Sequence, residues 1–357
     1  MSSKLWKLIG LVFVLALDPP LGSGRATEEA FREIRSLSLD SRDVEERYSL
    51  SSISAPVLGM VLDHAREGLR PIWGIPGASS LGEVLDLGSA LSRAWISPKQ
   101  DYGLVEVKTG GELMLVGLNH RQVSLRPVQG APPGVDAIAL SPTGASAILY
   151  YRAIRSLRLI TGLPRESRVT AEIDISNVPQ PLDSIAISDD GGAALLGVSG
   201  QNSGAVYVAT ERGEVWNISS IGQASAISFL KGNRDALLAD RQANEVLMIL
   251  DVTGTAEKIT VARESQGIRQ PVAVQISDDN RRVFIACSGS AAISVLDLET
   301  STVTQLSCEC VPSGFYRLGS SSAFRLTELS ERPLLLLDGG AEELRVVFVP
   351  RAESGKD

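Results

Sequence analysis

Few side chains in this chain of 357 residues could carry acid–base or metal chemistry. There are two histidines, His64 and His120. Histidine titrates near neutral pH and is the commonest metal ligand. Neither has a second histidine or an acidic cluster at ligand spacing, so both read as solvent-exposed turn residues. Two acidic pairs, Asp189-Asp190 and Asp278-Asp279, offer oxygens of the kind Ca²⁺ prefers. Each pair precedes Gly or Asn in a polar turn, where aspartate caps its own backbone, and turn chemistry is the better reading. No metal ion and no cofactor is expected. Asp136 and Asp183 are different: each stands four residues before the end of an apolar run, at Leu140 and Ile187. Gln223 stands four before Ile227 in the same way. Repetition at equivalent positions means that one kind of element presents all three.

That element is a short apolar strand, then Ser, then a polar turn. It occurs as Ala94–Pro98, Ile138–Pro142, Ile185–Asp189, Ala226–Phe229 and Val274–Asp278, with Ser at 97, 141, 188, 228 and 277. The serines are separated by 44, 47, 40 and 49 residues. A period of about 40–45 residues holding several strands is the mark of a β-propeller. Four strands can be drawn over Asp183–Ser188, Ala193–Val198, Ala205–Thr210 and Glu214–Ile218. The same scheme gives Val272–Ser277, Arg282–Ala286, Ala292–Leu298 and Thr302–Leu306. A last repeat without the Ser turn covers Phe315–Leu318, Ala323–Thr327, Leu334–Leu337 and Leu344–Val349. An abbreviated first one covers Val57–Leu62, Arg70–Ile75 and Glu83–Leu87. The expectation is an all-β fold, a propeller of seven four-stranded blades over residues 53–350. Trp73-Gly74-Ile75-Pro76-Gly77 reads as a strand followed by a Pro-Gly turn.

The fold gives the polar residues a place. The first strand of a blade is innermost, so Asp136, Asp183 and Gln223 would ring one mouth of the central channel. Loops on the same face carry Arg152, Arg155 and Arg241. Together these six form a candidate ligand site. The competing reading is that Asp136 and Asp183 hold backbone amides at the blade tops. Both histidines are expected on the opposite face, His64 in the first turn of blade one and His120 in the third-to-fourth-strand turn of blade two.

The pattern resembles the YVTN-type, YncE-like seven-bladed propellers of secreted bacterial proteins. Ser141-Pro142-Thr143-Gly144 with Ile148-Leu149-Tyr150 carries the likeness, as does Ser277-Asp278-Asp279-Asn280 with Val283-Phe284-Ile285 and Ser294-Val295-Leu296-Asp297. It covers most of residues 90–310. The resemblance implies a periplasmic or extracellular binding module. Signatures of the WD, kelch and sialidase propellers are absent, as are the Gly-x-Ser-x-Gly and Walker motifs.

The first residues point the same way. Lys4 and Lys7 precede the apolar run Leu8–Leu17, followed by Asp18-Pro19-Pro20 and small residues to Ala26. Residues 1–26 read as a secretory signal peptide, residues 27–52 as a polar linker or N-terminal arm, and 351–357 as a polar tail. The run is shorter than the roughly 20 residues a spanning helix needs, and no membrane span is expected after cleavage. The chain carries a net charge of −8, which becomes −10 without residues 1–26. That balance disfavours nucleic acid, which is bound through Lys and Arg. Three cysteines remain, Cys287, Cys308 and Cys310. Secretion permits disulfides. In extended chain the Cα atoms of Cys308 and Cys310 would stand about 6.7 Å apart, the outer limit for a bridge, so pairing requires a bend. Cys287 reads as a small buried hydrophobe.

The sequence-level expectation is therefore a secreted, monomeric, non-enzymatic propeller that binds a protein or envelope component. Its rival is a carboxylate- and Ca²⁺-dependent hydrolase of lactonase type, acting at the channel mouth.

Overall fold

In the computed structural model the recurrent serine is a lock on a turn. Ser141 Oγ accepts the N–H of Ser146 at 3.2 Å, Ser188 Oγ that of Ala193 at 3.0 Å, and Ser277 Oγ that of Arg282 at 2.8 Å. The third residue after Ser97, Ser141, Ser188 and Ser277 has positive φ: Gln100, Gly144, Gly191 and Asn280, at 59°, 72°, 71° and 57°. Its N–H donates back to the serine carbonyl. This is a four-residue turn ending in a left-handed residue, which joins two antiparallel strands tightly and favours Gly or Asn at its end. All five serines are buried.

The structure describes residues 56–350 apart from 119–122, 201–202, 233, 309, 320–321, 330–332 and 342. The expected signal peptide, the arm, the tail and His120 lie outside these. Seven antiparallel sheets follow one another along the chain. Blade I holds β1 (Val57–Asp63), β2 (Gly68–Ile75) and β3 (Ala78–Leu81). Blade II holds β4 (Leu91–Ile96), β5 (Tyr102–Val107), β6 (Leu113–Gly117) and β7 (Ser124–Pro127). Blade III holds β8 (Ala137–Leu140), β9 (Ser146–Tyr151), β10 (Ser156–Thr161) and β11 (Ala171–Asp174). Blade IV holds β12 (Ser184–Ile187), β13 (Ala193–Val198), β14 (Gly204–Thr210) and β15 (Val215–Ile221). Blade V holds β16 (Ala224–Phe229), β17 (Ala236–Asp240), β18 (Glu245–Leu250) and β19 (Glu257–Arg263). Blade VI holds β20 (Pro271–Ile276), β21 (Arg282–Cys287), β22 (Ala292–Asp297) and β23 (Thr302–Ser307). Blade VII holds β24 (Tyr316–Leu318), β25 (Ala323–Arg325), β26 (Leu334–Asp338) and β27 (Arg345–Val349). The chain is an all-β, seven-bladed propeller.

Both faces of the middle strands are buried, because each blade stacks on the next. Residues Ala193–Val198 are buried throughout, and so are Ser146–Tyr151. Apolar clusters fill each interval between blades, for example Ile148, Tyr150, Ile187 and Leu196 between III and IV. Between VI and VII the rings of Phe284, Phe315 and Phe324 pack with centroids 4.8–6.4 Å apart. Burying such side chains stabilises by about 2–3 kcal/mol each before conformational entropy is set against it.

Blade I departs from the others. The third strand arrives at Ala78, ahead of the expected Glu83–Leu87, because Gly74 and Gly77 take φ of 100° and 85° and close a tight hairpin. More important is the direction of β1. The carbonyl of Glu67, in the β1–β2 turn, accepts the N–H of Leu91 at the start of β4, and the Glu67 carboxylate pairs with Lys108. This turn therefore lies on the face opposite the Ser turns. β1 runs as the second strand of the other blades does, and among the described residues no strand lies inside it. Gln100 bridges the seam instead: Oε1 accepts Met60 N–H at 2.8 Å and Nε2 donates to the Arg317 carbonyl at 2.7 Å.

Candidate functional site

The inner strands enclose a channel of about 440 Å³, with Ile96, Ile138, Leu140, Ile185 and Ile227 among its apolar wall residues. Its two ends differ. One, the turn face, carries the Ser turns. The other, the loop face, carries the connections that leave second strands and enter first strands. Asp136, Asp183 and Gln223 open on the loop face, with Arg152, Arg155 and Arg241.

The carboxylates there are engaged. Asp136 Oδ2 accepts the N–H of Arg152 at 2.7 Å, and Asp183 Oδ2 accepts that of Ser199. Each ties the entry of a first strand to the loop leaving the second strand of its own blade. In blade V the duty passes to Asp240, at the end of β17. Its oxygens accept the N–H groups of Gly222, Gln223, Gln242 and Ala243 at 2.7–3.1 Å. Asp240 is buried, and the sequence reading passed over it. The available signal was an aspartate at a strand end ahead of a turn, the same place Asp63 occupies in blade I.

The positive groups are less committed. Arg155 donates to the Ser176 carbonyl at 3.0 Å. The guanidinium groups of Arg152 and Arg241 are exposed and form no salt bridge among the described residues. Gln223 is half-buried and opens onto a second hollow of about 390 Å³, shared with Arg241.

Two clusters on this face went unread in the sequence. Arg93 meets Glu106 through two bonds, at 2.7 and 2.9 Å, and its Nη1 donates to the Asp136 carbonyl at 3.1 Å. The Arg93 bond holds the Glu106 carboxyl below its usual range, against burial that pushes it up. The two residues stand directly opposite in the β4–β5 register. In blade VII the Arg325 guanidinium lies 3.9 Å from the Tyr316 ring centroid and pairs with Glu328.

His64 is corrected by the direction of β1. It lies on the loop face, exposed, at the rim of the channel, and not on the turn face. Its hairpin lacks a Ser turn, so the sequence offered no marker of which end it occupies. Among the described residues no group of three or more His, Cys, Asp or Glu side chains could hold a metal ion. Asp190 accepts from Ser188 Oγ and Gly192 N–H, and Asp279 from Ser277 Oγ and Arg281 N–H. The second aspartate of each pair acts as a turn cap, while Asp189 and Asp278 reach neighbouring blades.

Cys308 and Cys310 form a disulfide, their Cα atoms 5.0 Å apart, where blade VI hands over to blade VII. Cys287 is free and buried, and burial pushes its thiol above the usual range.

No protein-family model matches the chain, and no curated protein matches it. Among solved structures the chain is similar to a functionally unknown protein from Desulfotomaculum acetoxidans. The TM-score is 0.56 at 12% identity, over 83% of this chain and 100% of that one. It is also similar to a catalytically inactive virginiamycin B lyase from Staphylococcus aureus solved with quinupristin. There the TM-score is 0.53 at 12% identity, over 76% of this chain and 87% of that one. At such identity the likeness is one of fold.

Proposed function

We propose that this propeller is a secreted, non-enzymatic binding module of the YVTN type, which engages a protein or envelope component through its loop face. One observation carries the reading. The carboxylates of the channel mouth are bound to backbone amides, while exposed guanidinium and carboxamide groups beside them are free to meet a partner. The mouth is thus a fixed rim with donors to offer. Secretion is supported by the signal-like residues 1–26 and by the Cys308–Cys310 disulfide, a bond that persists in oxidising compartments.

The test has two parts. Residues 1–26 fused to a reporter that is active only after export should give activity; a silent fusion removes the secretion half of the reading. The tagged full chain, cross-linked in envelope extract, should retain one near-stoichiometric component, and the double variant Arg152→Gln, Arg241→Gln should lose it. Equal capture by the variant overturns the loop face as the binding face. A calcium-dependent rise in melting temperature that Asp136→Asn abolishes would favour the hydrolase instead.

A further inference from the structure

We propose that the hollow on the loop face between blades IV, V and VI is an anion site, made for a ligand bearing a carboxylate or phosphate group. It rests on the loop face being the binding face, and it adds what that face recognises. Ser199, Gln223, Arg241, Gln242, Asn244 and Gln270 line the hollow, and none of its lining residues is acidic. Of the nearby carboxylates Asp240 is buried and Asp183 exposed, and both bond backbone amides. Asp240 gives both oxygens to four amides, and Asp183 gives Oδ2 to Ser199 N–H.

The donors that remain are held in place. Arg241 N–H donates to the Gln223 carbonyl at 3.0 Å, which fixes the arginine backbone while its guanidinium stays exposed. Asn244 Oδ1 accepts Gln270 N–H at 2.7 Å. A backbone N–H can meet only the oxygen of a carboxamide, so the Asn244 Nδ2 hydrogens are left uncommitted. Asn244 and Gln270 sit at φ of 56° and 46°, in the left-handed region that a side chain tolerates at some cost. Ser199 Oγ is buried without a hydrogen-bond partner among the described residues. A guanidinium fork and the carboxamides of Gln223, Gln242, Asn244 and Gln270 around a hollow without carboxylates match the oxygens of an anion.

The experiment is calorimetric titration of the full chain with citrate and with inorganic phosphate, at constant ionic strength. Saturable binding of one or both is expected. Arg241→Gln should weaken it by about tenfold, the loss of one charge-assisted bidentate contact. Arg66→Gln on blade I should leave it unchanged. Tighter binding of citrate assigns a carboxylate ligand; tighter phosphate binding assigns a phosphorylated one. No heat with either probe at about 10 mM, or binding that Arg241→Gln leaves intact, overturns the site. Loss of the captured partner in Arg241→Gln without any anion binding would sink the anion site and keep the binding face. Anion binding without any captured partner would do the reverse.

Discussion

Asp189, on the turn face, accepts Thr143 N–H and Oγ1 from the blade before it, at 2.7 and 2.6 Å, and Gly232 N–H from the blade after it, at 2.8 Å. Arg241, on the loop face, makes no such tie with its side chain. The contrast extends around the ring. On the turn face Arg234 meets Asp190, Lys231 and Arg317 both meet Asp278, and Asn280 exchanges two bonds with Lys231 across a blade boundary. Polar side chains there join one blade to the next. On the loop face Asp136, Asp183 and Asp240 mostly hold loops within their own blade or at its entry. Both faces carry ties between blades, Arg93 to Asp136 and Asn244 to Gln270 among those on the loop face, but the loop face also leaves the Arg152 and Arg241 side chains in solvent.

If that division is right, the largest effect comes from Asp189→Ala. It removes three hydrogen bonds to a charged acceptor across two blade boundaries. Urea unfolding should show a loss of about 2–4 kcal/mol, and a loss no larger than that of a surface alanine would break the comparison. Acid sharpens it next. The Ser277 hydrogen bond leads in holding the Asp279 carboxyl below its usual range. At Asp190 burial pushes upward, but bonds from Ser188, Gly192 and Arg234 outweigh it. Both carboxyls therefore bind protons more weakly folded than unfolded. Their stabilisation is complete above the unfolded carboxylate range and is lost as pH falls through the lower folded values. Stability measured from pH 6 to pH 3 should fall, and the double variant Asp190→Asn, Asp279→Asn should flatten the fall.

Gln100→Ala tests the seam. It deletes two bonds that join blade II to blades I and VII, and unfolding should register about 1–2 kcal/mol. Smallest of all, Arg241→Gln and Arg152→Gln should each change stability by less than about 0.5 kcal/mol. A larger loss would mean that the loop-face arginines also fasten the ring.

The fold was legible because the Ser turn is a local device. Ser188, Asp190 and the positive-φ Gly191 specify a turn within four residues, and every copy but the one at Ser228 announces the strand five residues on. The strands of blade VI could be placed to within a residue or so for that reason. Blade I offered no such mark. Its hairpin from Val57 to Ile75 looks like a first and second strand, and only the long-range bond from Leu91 to Glu67 reveals its direction. The site was half legible. The equivalence of Asp136 and Asp183 could be read from spacing, and the turn-cap reading of the acidic pairs followed from their glycines and asparagine. Asp240 offered a local signal, an aspartate at a strand end ahead of a turn, but its bonds to Gly222 and Gln223 are set by two loops that meet only in the folded blade.

The seam between blades VII and I has a mechanical meaning. No blade mixes strands from the two ends of the described chain, so among the described residues closure there rests on side chains: Leu58, Val61 and Ile72 against Leu318, Leu334 and Val349, with Gln100 as a polar rivet. The chain enters at Pro56 and leaves near Pro350, on the two blades that flank this boundary. A pull between those points loads the seam directly, while the other six boundaries stand behind continuous chain. The ring should open there like a clasp, losing its circular form well before any single blade loses its strands.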